Sequence, residues 1–268
     1  MSAVPQPPAQ PAADAPLVDV RRDGGIVTLT LNRPGAFNAL SEGLMAALQA
    51  ELERLSADPS ARVVVVAAAG KAFCAGHDLR EMRAQPSLEY YQALFGQCAK
   101  MMLTIQKMPQ PVIARVHGIA TAAGCQLVAM CDLAVASDDA KFAVSGVNLG
   151  LFCSTPSVPL SRNVPRKTAF EMLVTGEFID AKTAADRGLI NRAVPADALD
   201  AEVDRLARLI AAKPAVAISA GKGMFYRQLE MGIDAAYQLA GQTMACNMME
   251  EPTLEGVQAF IEKRKPNW

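Results

Sequence analysis

The sequence predicts an α/β fold, with a core of alternating strands and helices followed by a helical C-terminal region. Three observations carry that prediction. The run at 63–69, VVVVAAA, has the continuous β-branched character of a strand buried on both faces. A strand leading through a loop into a helix occurs twice, at 63–79 and at 112–127. Beyond residue 143 the apolar positions recur mainly at helical spacing.

Residues 1–16, MSAVPQPPAQPAADAP, are rich in Pro and Ala and lack the basic and apolar segments of a secretion signal, so they read as a disordered tail. Residues 18–31 read as two strands around the turn Asp23-Gly24-Gly25, stopped by Asn32-Arg33-Pro34. Ser41 is placed to N-cap a helix in which Leu44, Leu48, Leu52 and Leu55 share one face, before Asp58-Pro59 ends it. Strands follow at 63–69 and 112–116, with shorter ones at 133–136 and 141–143; helices are predicted at 196–212, 215–229, 233–249 and 254–263. The expected organisation is a tail at 1–16, a core at 17–195 and a helical oligomerisation region at 196–268.

The chain has 268 residues, 51% of them hydrophobic, and a net charge of −1, enough for one large core. Without a basic tract, nucleic acid and anionic membrane are not the expected partners. No apolar run approaches the roughly 20 residues needed to span a bilayer. The six cysteines form no CxxC pair and only His77 and His117 could supplement them, so no metal site is expected and the thiols should be reduced, as in the cytoplasm.

No GxGxxG follows the first strand, and GxxxxGK[ST], HExxH and GxSxG are absent, which removes dinucleotide, P-loop, zinc-peptidase and serine-hydrolase readings. The informative stretch is 111–132, PVIARVHGIATAAGCQLVAMCD. Here a strand runs through a glycine-punctuated turn into a helix start, where backbone N–H groups lack intrahelical partners and sit at the positive end of the helix dipole. Ala123 and Gly124 can therefore donate to an oxygen that gains charge.

Three segments in order, FNAL at 37–40, KAFCAGHDLREM at 71–82 and HGIATAAGCQLVAMCDLAVAS at 117–137, resemble the crotonase superfamily, the enoyl-CoA hydratase/isomerase family. The resemblance implies a spiral of repeated ββα units, C-terminal helices that assemble trimers or dimers of trimers, and an acyl-CoA thioester substrate of fatty acid metabolism. Coenzyme A would belong to the substrate, with no separate cofactor. It further implies that the thioester oxygen is held by the backbone N–H groups of His77 and Ala123. Lys71, Ala75, Gly76, Asp78 and Leu79, with Gly124 in the turn, would surround coenzyme A, and Phe260 and Lys263 would reach its nucleotide end from this subunit or a neighbour. A cytoplasmic location is expected, or the mitochondrial matrix in a eukaryote.

The chain departs from the family where chemistry is decided. The two glutamates that hydratases use are Gln126 and Gly146 here. An amide can hydrogen-bond a water but cannot take its proton near neutral pH, and glycine has no side chain. Positioned acid and base groups are each worth roughly 100- to 10,000-fold, so the expected label, enoyl-CoA hydratase-like lyase, is separated from the expected chemistry. Gln126 could still hold a water. The alternatives are decarboxylation of a CoA thioester, which needs the oxyanion hole but no carboxylate base, and acyl-CoA binding without catalysis. His77 is expected to contribute its N–H before its ring, Cys153 to pack rather than react, Asp78 and Glu81 to cap the following helix, and His117 and Asp132 to act structurally.

Overall fold

The computed structural model describes residues 15–268, so most of the predicted tail lies outside the described residues. Strands β1 (Val18–Asp23) and β2 (Ile26–Leu31) form the expected antiparallel hairpin. Helix α1 (Glu42–Ser56) begins where the Ser41 side chain accepts the Leu44 N–H, and its four predicted leucines are all buried. Each such leucine contributes roughly 1.5–3 kcal/mol.

Three successive units then repeat one pattern. β3 (Val63–Ala68) is followed by β4 (Ala72–Cys74) and by helices α2 (Leu79–Ala84) and α3 (Leu88–Lys107). β5 (Val112–Val116) is followed by β6 (Ile119–Thr121) and α4 (Ala123–Met130). β7 (Leu133–Ser137) is followed by β8 (Lys141–Ala143) and, after a 3-10 turn, by α5 (Ser154–Asn163) and α6 (Arg166–Thr175). The first strand of each unit joins a large sheet ordered β1-β2-β3-β5-β7-β10, and the second joins a small one ordered β4-β6-β8-β9. Here β9 is Ile179–Asp180, and α7 (Ala181–Asp186) connects it to β10 (Arg192–Val194). Neighbours from β2 to β10 are parallel, which requires the long crossovers that the helices provide. The result is the spiral of ββα units that the sequence motifs implied.

All six residues of β3 are buried, as its apolar run predicts. One face of the large sheet packs on α1, α3 and α4; the other is covered by α8 (Leu199–Ala211) through Leu199, Val203 and Ala207. The remaining helices, α9 (Ala215–Gln228), α10 (Ile233–Met248) and α11 (Glu251–Ile261), bury little within one chain. The only buried residue of α9 is a lysine. Lys222 Nζ donates to the carbonyls of Ile105 and Gln110, at 2.8 Å each, and to Asp132 Oδ2 at 2.7 Å. Asp132 also accepts from the Tyr226 hydroxyl at 2.8 Å and the Val112 N–H at 2.6 Å. The acidic residue closing the glycine-turn motif thus anchors the C-terminal region. No described helix is long and apolar enough to cross a membrane.

Candidate active site

The site forms where the loop after β4 meets the turn after β6. Gly76 has φ +92°, and a Cβ there would lie 2.9 Å from the Ala122 Cβ and 3.3 Å from the Ala123 nitrogen. Only glycine allows both that conformation and that approach. Gly124 serves the same contact from the other side, since a Cβ there would run into the Cys74 carbonyl oxygen. Ala122 is held at φ 50°, ψ −121°, a region that ordinarily belongs to glycine, and this turns the chain sharply into α4.

These constraints leave two backbone donors open. The Leu40 N–H donates to the Gly76 carbonyl at 2.7 Å and the Asp78 N–H donates to the Leu40 carbonyl at 3.3 Å. The His77 N–H between them has no acceptor among the described residues. In the turn, the Ala122 N–H donates to the Ala143 carbonyl and the Gln126 N–H to the Ala122 carbonyl, each at 3.0 Å. The Ala123 N–H, first in the helix, likewise lacks an acceptor among the described residues. Asn38, from FNAL, braces the neighbourhood: its buried amide donates at 2.8 Å to the carbonyls of both Ala69 and Ala72.

Beside these donors lies a cavity of about 180 Å³ lined by His77 and Ala123, together with Ala75, Leu79 and Gly146. Its far wall is apolar, made by Met82, Phe95, Leu149, Leu151, Phe152 and Pro156. The polar residues of the lining are His77, Ser145, Cys153, Ser154 and Thr155; no Asp, Glu, Lys or Arg contributes. The His77 ring meets Phe95 edge-on, with centroids 5.5 Å apart, and both ring nitrogens are buried without a partner among the described residues. Burial pushes the imidazole's pKa below its usual value; the nearby Leu40 carbonyl opposes this without reaching hydrogen-bond geometry. The ring is therefore neutral at physiological pH.

At Gly146 the position is closed as well as empty. A Cβ there would lie 2.5 Å from the Leu151 carbonyl oxygen and 2.7 Å from Cys153 Sγ. The Gly146 N–H donates to that sulfur at 3.2 Å. Burial raises the Cys153 pKa, and the Gly146 N–H works the other way.

The other candidates are not all brought together. Gln126 is only 4% exposed, does not line the cavity, and its Oε1 has no partner among the described residues. Asp78 faces away: it caps α2 by accepting from the Arg80 N–H at 3.0 Å and pairs with Arg33 at 3.0 Å. Burial alone would raise the Asp78 pKa, but Arg33 and the N–H groups of Arg80 and Glu81 outweigh it and hold the carboxyl below its ordinary value. Glu81, expected to cap the same helix, instead accepts the Glu42 N–H at 2.9 Å, because its side chain reaches back to the start of α1. Cys153 packs as expected, 6% exposed within the core cluster, and it also stands among the residues around the cavity. Lys71 is exposed, and Phe260 and Lys263, at the end of α11, lie outside the cavity's lining. His117 donates its Nε2–H to the Gly70 carbonyl oxygen at 2.9 Å, away from the cavity.

Phe95, Met82 and the Ser145–Thr121 hydroxyl pair at 2.8 Å were not singled out from the sequence. Met82 closes the motif at 71–82 without being marked by it, and Phe95 comes from a helix that carries no motif, where only a helical pattern over 88–107 with Phe95 facing the core could have marked it.

Residues 21–268 match the family model described as enoyl-CoA hydratase/isomerase. A solved enoyl-CoA hydratase from Mycobacterium smegmatis superposes with TM-score 0.94 at 64% identity, covering 95% of this chain and 99% of that one. The Xenopus laevis protein named enoyl-CoA hydratase domain-containing protein 3, mitochondrial, is 45% identical, over 94% of this chain and 86% of the relative. The 2,3-dehydroadipyl-CoA hydratase of Escherichia coli is 32% identical, over 93% and 97% respectively. With the spiral of ββα units and the matched motifs, these similarities establish that the chain belongs to the enoyl-CoA hydratase/isomerase family.

Proposed function

We propose that this chain binds acyl-CoA thioesters and stabilises their enolates through the His77 and Ala123 N–H groups, without the two-carboxylate route to hydration. The observation that carries this reading is a pair of unpartnered backbone donors opening on an apolar cavity that has no carboxylate in its lining. Enolate formation places charge on the thioester oxygen, and preorganised donors in a water-poor site are worth most where charge develops. Such donors require no proton transfer, so they survive the loss of both glutamates.

Hydration requires a group that takes a proton from water and one that delivers a proton to Cα. His77 is the one residue of the cavity lining that carries an ordinary base, and both of its ring nitrogens are buried. Decarboxylation of a malonyl-type thioester is the second reading, favoured by the uncharged lining: a substrate carboxylate there is desolvated and unpaired, and losing carbon dioxide leaves the electron pair on the enolate that the two N–H groups hold.

Exposed Lys71 and Lys263 supply charge suited to the coenzyme's phosphates, with Lys263 contributed across a trimer interface. A homotrimer is supported by the large apolar side chains that α9 to α11 expose, including Phe225 at 52%, Tyr237 at 74% and Phe260 at 85%. The word mitochondrial in the Xenopus relative's name supports a matrix location for a eukaryotic source.

The test combines calorimetry with butyryl-CoA and assays of crotonyl-CoA hydration and malonyl-CoA decarboxylation. The reading expects butyryl-CoA to bind and catalytic hydration to fall about 10,000-fold or more below a hydratase that carries both glutamates. Hydration at the level of such an enzyme, or failure to bind any CoA thioester, overturns it. Decarboxylation at the blank rate eliminates the second reading.

A further inference from the structure

We infer that Phe95 sets the length of the acyl group this site takes, holding it to about six carbons. This rests on the proposed acyl-CoA reading and adds the class of acyl group that the reading leaves open.

The apolar wall of the cavity has two parts. Leu149, Leu151 and Phe152 are 68%, 50% and 43% exposed and stand toward solvent, whereas Met82 and Phe95 pack against the core cluster. The inner part is braced. Phe95 meets the His77 ring edge-on, with centroids 5.5 Å apart, and stacks on Tyr91 at 6.4 Å with 23° between the ring planes. The Tyr91 hydroxyl in turn donates to the Met82 carbonyl at 3.0 Å, which ties α3 to α2. The helix that carries Phe95 cannot back away, because Leu94, Cys98, Met101 and Ile105 seat its inner face in the core. A longer acyl chain therefore meets a ring held from two sides, and displacing it carries the cost of overpacking.

The volume supplies the length. An apolar cavity of about 150 Å³ takes up benzene, six heavy atoms. By that measure the cavity of about 180 Å³ takes about seven, the thioester oxygen and six carbons of an unbranched acyl group. A shorter chain leaves part of the wall without contacts, and a longer one must move Phe95 or leave carbons in water.

Binding of a saturated series, acetyl-CoA to decanoyl-CoA, is measured by calorimetry on the full-length protein and on Phe95→Ala and Phe95→Leu. In the unmutated protein each added methylene should tighten binding about fourfold as far as hexanoyl-CoA, and octanoyl- and decanoyl-CoA should bind no tighter than hexanoyl-CoA. The ratio of octanoyl to hexanoyl affinity should rise about 15-fold in Phe95→Ala, which admits two further methylenes, and about fourfold in Phe95→Leu, which admits one. Affinity that goes on rising to decanoyl-CoA in the unmutated protein overturns the inference, as does a break that stays at hexanoyl-CoA in the variants. A profile flat from acetyl to decanoyl also overturns it, while leaving CoA thioester binding standing. Failure to bind any member of the series sinks both. Should Phe95→Ala fail to fold, Phe95→Leu and the unmutated series still decide.

Discussion

Replacing both departures from the hydratase pattern, Gln126→Glu with Gly146→Glu, should not convert this chain into an efficient hydratase. If the site merely lacked two groups, restoring them would return roughly 100- to 10,000-fold each, about 10⁴ to 10⁸ together. The structure sets a different expectation. A Cβ at 146 meets a backbone oxygen, Leu151 O, at 2.5 Å, and the Cys153 sulfur at 2.7 Å; the first cannot rotate away as a side chain would. Overpacking of this kind destabilises by about 1–3 kcal/mol. For a chain of this size that corresponds to a Tm lower by roughly 2–12 °C. A carboxylate buried at 126, away from the cavity and without a cationic partner, adds to the loss. Hydration of crotonyl-CoA, followed by loss of enoyl absorbance beside a thermal melt, should therefore rise less than about tenfold while Tm falls. A double variant with an unchanged Tm and a gain of 10⁴ or more would refute the claim that Leu151 and Cys153 have remodelled this wall.

Three further expectations concern the fold and the turn. Lys222→Met strands the buried Asp132 carboxylate and should destabilise by about 3–5 kcal/mol, chiefly by loosening α9, seen as faster amide exchange there; equal exchange in variant and parent would contradict the anchoring role. Ala122→Gly relieves the turn's strained backbone and, after glycine's entropic penalty, should stabilise by about 1 kcal/mol; a lower Tm would show that the Ala122 methyl contributes more than its conformation costs. The folded-state pKa of both His77 and His117 is lowered from 6.5 by burial, so below 6.5 the unfolded chain binds protons that the folded chain refuses. Stability should consequently fall as pH drops from 6.5 toward 5, and His77→Gln should flatten part of that loss; a pH profile identical in variant and parent would contradict it.

Local chemistry was the legible part of this sequence. The Asp23-Gly24-Gly25 hairpin, the Ser41 cap, the apolar run of β3 and the C-terminal helices each follow from neighbouring residues, and the structure places all of them close to the expected bounds. The glycine turn was legible as a donor site because a helix start leaves N–H groups free whatever surrounds it. Contacts between distant segments were less so. Spacing alone does not reveal that Arg33 turns Asp78 away from the cavity, that Glu81 bonds the start of α1, or that Lys222 crosses 90 residues to reach Asp132. Cys153 in GVNLGLFCSTP reads as a small hydrophobe and packs as one, but only the fold of that segment shows its sulfur against the Gly146 N–H, beside the cavity.

The central claim is that two backbone N–H groups hold a thioester oxygen, and a crystal structure of the protein with bound butyryl-CoA tests it most directly. The thioester oxygen should lie about 2.7–3.1 Å from both the His77 and the Ala123 nitrogens, with the acyl chain against Met82, Phe95 and Phe152. A bound thioester whose oxygen contacts neither nitrogen would contradict the account.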